Sequence, residues 1–127
     1  MKPQTAAFLG AADRALAHAI ANLGINIPDQ AARLAYHAQF HAAQALIFER
    51  TDKISRQHKG VSKEFHRIAR SEAGLPPGAA ASLSKAYRYK EIADYDVGTV
   101  VPITYARARD AIATAESFVG AVRDVLT

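Results

Sequence analysis

Asp29-Gln30-Ala31-Ala32-Arg33-Leu34-Ala35-Tyr36-His37-Ala38-Gln39-Phe40-His41-Ala42-Ala43-Gln44-Ala45-Leu46-Ile47-Phe48-Glu49-Arg50 contains no glycine and no proline. A run of that kind over about six helical turns reads as one uninterrupted helix. Ala31, Leu34, Ala35, Ala38, Ala42, Ala45 and Leu46 supply small and medium apolar contacts along it. Small side chains let neighbouring helices approach closely, so this segment is expected at the centre of a helical domain.

Working outward, Ile25-Asn26-Ile27-Pro28 is a short connector to a preceding helix from Pro3 to Gly24. In that helix Phe8, Leu9, Ala12, Leu16, Ile20 and Leu23 recur at helical steps, with Pro3 in the first turn and Gly24 at the stop. On the other side, Asp52 to Gly60 lacks apolar period and reads as a loop. A shorter third helix places Val61, Phe65, Ile68 and Ala69 inward and Lys63, Arg67 and Arg70 outward. Gly74-Leu75-Pro76-Pro77-Gly78 is the strongest break in the chain.

A fourth helix follows from Ala79 to Ala93, burying Ala80, Leu83, Ala86 and Tyr87, and Asp96 to Val101 reads as a loop. Pro102 is expected to open a fifth helix with Tyr105, Ala108, Ile112, Ala115, Val119, Val122 and Leu126 inward. No persuasive strand alternation appears, and the Val-rich stretch from Val97 to Ile103 is read as loop. The expected architecture is all-α, an antiparallel up-and-down four-helix bundle with an additional short helix, forming a single domain over residues 1–127.

The chain of 127 residues is long enough for one core and has no cysteine, so disulfides and thiolate chemistry are excluded. A reducing, cytoplasmic setting fits, and no window approaches the roughly 18 apolar residues of a membrane span. No phosphate-binding glycine loop and no serine nucleophile elbow is present. His37 and His41 lie one turn apart, but no HExxH pattern accompanies them, and the expectation is no metal and no cofactor.

Sixteen Lys and Arg face twelve Asp and Glu, for a net charge of +4. Arg50, Lys53, Arg56, Lys59, Lys63, Arg67 and Arg70 gather within one stretch against only Asp52 and Glu64, an excess larger than that of the whole chain. Such a cluster either attracts phosphates or is a solvated helix face. His58-Lys59-Gly60, ahead of the third helix, could hold a phosphate at a helix N-terminus, or Gly60 could simply supply a turn.

Leu83-Ser84-Lys85-Ala86-Tyr87-Arg88-Tyr89-Lys90-Glu91-Ile92-Ala93-Asp94-Tyr95-Asp96 is dense in tyrosine and charge. Helical spacing puts Arg88, Glu91, Ile92 and Tyr95 on one face, while Tyr87 reads as core. A bland reading of Arg88 is a surface ion pair with Glu91.

Several separated motifs resemble the HEPN domain family in order and spacing. They are Tyr36 to Leu46, His58-Lys59-Gly60-Val61, Ala86-Tyr87-Arg88 with Ala93-Asp94-Tyr95-Asp96, and Ala115-Glu116-Ser117-Phe118-Val119. The resemblance covers about Ala31 to Val122, and is to the small stand-alone members. It implies a five-helix domain with a four-helix core, usually a homodimer. Many members pair with a minimal nucleotidyltransferase in toxin–antitoxin systems, and many are metal-independent ribonucleases.

In those ribonucleases an arginine is followed on the same helix by a histidine. In some toxins a tyrosine two turns after the arginine receives AMP from the partner. Carried onto this sequence, the arginine falls on Arg88 and the tyrosine on Tyr95. Ala93, Asp94 and Tyr95 occupy the positions a histidine would take, so the histidine is missing. Asp94 could replace it as the base only with a pKa raised well above the usual carboxylate value.

The resulting expectation is a helical dimer that binds nucleotide or RNA phosphate, or a nucleotidyltransferase partner, through the Arg88 to Tyr95 face. His58, Lys59, Lys63 and Arg67 are the further binding residues. One alternative is an endoribonuclease in which Asp94, His41 or His58 takes the place of the missing histidine. Another is a purely structural interaction module.

Overall fold

The computed structural model describes residues 1–95 and 102–127, which form five helices: α1 (Pro3–Gly24), α2 (Pro28–Thr51), α3 (His58–Ala69), α4 (Ala79–Asp94) and α5 (Tyr105–Leu126). The loop expected from Asp96 to Val101 lies outside the described residues. The four longer helices make the antiparallel bundle, and α3 is the additional short helix, packed against α2 and α4.

Among the described residues α2 packs against all four other helices. Its alanine stripe explains this: Ala31, Ala35, Ala38, Ala42 and Ala45 are fully enclosed, so neighbouring backbones come close with no large side chain between them. Larger residues on the facing helices fill the remaining space. Phe65, Leu83, Ile112, Phe118 and Val119 are buried, and the Phe65 and Phe118 rings lie 5.2 Å apart. Burying a side chain such as Phe65 is worth about 1.5–3 kcal/mol.

Several sequence expectations are corrected at helix ends. Gly24 is the last residue of α1, but the left-handed residue that ends the helix is Asn26, with φ 60°. Ile27 N–H donates to Asn22 O at 2.9 Å and Asn26 N–H to Leu23 O at 3.0 Å, the paired bonds of a Schellman stop. α3 starts at His58 rather than after Gly60. α5 starts after Pro102 and Ile103, because the Thr104 side-chain oxygen accepts from Arg107 N–H at 3.1 Å and caps it.

Two expected core residues face outward. Ile20 is 52% exposed because Ala19 occupies the buried track, and Tyr105 is 50% exposed because Ile103, just before the helix, enters the core instead. Gly60 supplies close approach rather than a turn: a Cβ there would collide with the Ser55 hydroxyl.

Candidate functional site

Tyr36, in the middle of α2, is only 3% exposed and organises a ring cluster between three helices. His37 and Phe40 flank it on α2, with ring centroids 5.4 and 5.9 Å away. His58, the first residue of α3, and Tyr87 of α4 complete the cluster. The His58 and Tyr87 rings stack with centroids 3.7 Å apart and planes 15° from parallel.

The Tyr36 phenol hydrogen-bonds His58 Nδ1 at 2.8 Å. Burial, with the Tyr87 phenol beside it, pushes the Tyr36 pKa upward, so its hydroxyl keeps its proton, and the His58 tautomer sets which partner donates. Burial pushes the His58 pKa down; Glu91 opposes that and Lys90 adds to it. His37 is lowered too, first by burial and then by Arg33, His41 and Lys90, against Asp94. Both imidazoles are therefore neutral at pH 7.

These rings line one side of a pocket of about 350 Å³, and Arg56, Gln57 and Lys90 line the rest. Lys90 Nζ lies 5.7 Å from the Tyr87 ring centroid and 2.8 Å from Asp94 Oδ2. His58 also lines a second groove, of about 540 Å³, along the outer side of α3. Lys59, Lys63, Arg67 and Arg70 give that groove its charge.

Among the described residues Lys59, Lys63 and Arg70 have no carboxylate partner, whereas Arg67 pairs with Glu64 at 2.8 Å. The Arg67 hydrogen bond holds the Glu64 carboxyl below its ordinary range. Arg50, at the start of the basic cluster, is instead tied to Glu72.

The structure thus joins His58, Lys59, Lys63 and Arg67, and separates them from the other expected site residues. Arg88 and Glu91 lie exposed on the outer face of α4, and Tyr95, which ends the helix, is 69% exposed. Ile92 turns inward against the core. No ion pair joins Arg88 to Glu91 among the described residues. Asp94 turns toward α2, where Arg33 Nε reaches Oδ1 at 2.8 Å.

The Lys90 hydrogen bond is the largest cause holding the Asp94 carboxyl below its usual range; burial opposes it, and the charges of Lys90 and Arg33 and the Arg33 hydrogen bond add to the lowering. That is the reverse of the raised pKa a general base needs near neutral pH. Asp96, the last residue of the quoted α4 motif, lies outside the described residues.

Tyr36 and Tyr87 are the residues that sequence reasoning did not assign to a site. Tyr87 is half-buried, and its ring stacks on an imidazole rather than being enclosed in the core. The available signal was the ring density of Tyr36, His37, Phe40 and His41 on adjoining turns of one helix. His37 and His41 stack at 6.5 Å, and His41 Nδ1 bonds Gln44 Oε1 at 2.9 Å. No three metal-ligating side chains converge among the described residues.

The HEPN domain family model matches residues 5–125, almost the whole chain. The chain belongs to the HEPN family. This HEPN protein is also similar in fold to TT1696 from Thermus thermophilus, whose crystal structure superposes with a TM-score of 0.83. The two share 19% identity, over 98% of this chain and 99% of that one. No curated protein matches the sequence. Among the described residues no helix of this HEPN chain is long and apolar enough to cross a membrane.

Proposed function

We propose that this HEPN protein binds the phosphates of RNA or of a nucleotide along α3. It acts as one component of a toxin–antitoxin pair, with a nucleotidyltransferase as its partner. The observation that carries the reading is the α3 groove, where Lys59, Lys63 and Arg70 line one surface without a carboxylate partner among the described residues. Unpaired cations in a concave surface favour polyanions, because each phosphate neutralised releases condensed counterions. The family supplies the pairing with a nucleotidyltransferase, for which the exposed Arg88 and Tyr95 are the contact face.

The chain works as a single domain over residues 1–127 and as a cytoplasmic homodimer, with α4 or the loop that follows it near the two-fold axis. Light scattering at tens of micromolar should report twice the chain mass, and a monomer there would remove the dimer from this reading.

The phosphate reading is tested by titrating labelled single-stranded RNA at several salt concentrations. Replacing Lys63, Arg67 and Arg70 together by Ala should weaken binding and reduce the log–log salt slope by about 2, at about 0.7 per phosphate contact. These side chains point away from Phe65 and Ile68, so the fold should survive. An unchanged slope would make the cluster an ordinary solvated face.

One observation favours a second reading, a metal-independent endoribonuclease. His58 is a neutral imidazole at the edge of the phosphate groove, whereas Asp94 is held ionised by two cations. If so, RNA should be cut without metal, and His58→Ala should abolish the cutting while Asp94→Asn leaves it.

A further inference from the structure

His58 belongs to both cavities: basic side chains occupy the groove on one side of it, and aromatic ones the pocket on the other. A polynucleotide presents the same two chemistries side by side, since every phosphate is followed by a sugar and a flat, apolar-faced base. The pocket volume of about 350 Å³ lies within the range of roughly 300–1,000 Å³ common to small-ligand sites.

Its aromatic wall is organised in advance. Buried Tyr36 is packed against His37, Phe40, His58 and Tyr87, whose half-buried rings keep part of their surface at the pocket. Polar groups stand at the same opening. The Gln57 amide and the His37 imidazole can each donate and accept along a base edge, and Lys90 and Arg56 supply charge.

We infer that this pocket receives one unstacked nucleobase of a single-stranded RNA or a free nucleotide, while the adjoining phosphates lie on Lys59 and Lys63. The inference rests on the phosphate-binding reading and adds the place where the base is held. A base inside a duplex is stacked on both faces and cannot enter a concave site, so duplex RNA is excluded from the pocket. Aromatic stacking tolerates any base, and the polar rim gives at most a modest preference among them.

The test compares, by fluorescence anisotropy on the full chain, a short single-stranded oligoribonucleotide, its duplex, and an oligomer of equal charge with the bases removed. The base-bearing single strand should bind about tenfold or more tightly than the abasic one. Lys63→Ala should weaken both and leave their ratio unchanged. Tyr87→Leu, checked for native helicity, should bring the ratio close to one.

Displacement by AMP but not by ribose 5-phosphate would identify the free nucleotide as the source of the base. Displacement by neither, with the single-strand preference intact, would identify RNA. Equal affinity for base-bearing and abasic strands overturns the base pocket while the phosphate reading stands. Absence of binding to either strand overturns both.

Discussion

Arg33 of α2 donates its Nε–H to Asp94 Oδ1 of α4 at 2.8 Å, while Lys90 Nζ holds the other carboxylate oxygen at the same distance. This bridge links the central helix to the end of the motif helix. It also holds ionised the carboxylate that the sequence offers as a replacement base.

The bridge predicts a pH dependence of stability. The folded-state pKa of Asp94 lies below its unfolded value of about 3.9, so the stabilisation is complete above that pH and is lost as pH falls through the folded value. Asp94→Asn should cost up to about 1 kcal/mol in urea unfolding at neutral pH, the scale of a partly exposed ion pair. The difference from the parent chain should vanish once the carboxyl is protonated in both states. A cost that persists undiminished in acid would mean that the side chain acts through something other than charge.

Tyr36→Phe removes the hydroxyl that is hydrogen-bonded to His58 Nδ1 while leaving the ring stack in place. A lost buried hydrogen bond should lower stability by about 1 kcal/mol. The His58 imidazole signals in NMR should shift, since its Nδ1 loses its partner. Unchanged His58 shifts would show that the contact is not kept in solution.

Two glycines should respond in opposite directions. Gly78, which precedes α4, has φ 89°, and although a Cβ would meet nothing within 4 Å, an L-residue there is strained. Gly78→Ala should destabilise by about 1–2 kcal/mol. Gly24 ends α1 with no such backbone demand and open space around it, so Gly24→Ala should stabilise by about 0.4–1 kcal/mol. Both are read from chemical unfolding midpoints.

On the outer face of α4, Arg88→Lys should weaken binding of a phosphate-bearing ligand or partner nearly as much as Arg88→Ala, because an ammonium cannot reproduce the two-pronged grip of a guanidinium. Tyr95 projects at the end of the helix, within reach of an enzyme acting on it. Co-expression with a neighbouring nucleotidyltransferase should add AMP to the chain, and Tyr95→Phe should remove the added mass. No added mass on the parent chain would withdraw Tyr95 as the modified residue.

What the sequence determined by itself is local. The alanine spacing of Ala31, Ala35, Ala38, Ala42 and Ala45, the apolar period of α1 and α5, and the break from Gly74 to Gly78 define five helices and a central one, because helical period and chain-breaking residues act over a few positions. The motifs in α2, α3, α4 and α5 also carried the family. How the helices turn about their axes was decided only by packing. That rotation points Asp94 at Arg33 and leaves Arg88 on the exposed side, and it brings Tyr36, His58 and Tyr87, from three separate helices, into one cluster. No spacing rule reaches across two loops, since which faces meet depends on the fit of every side chain between the helices at once.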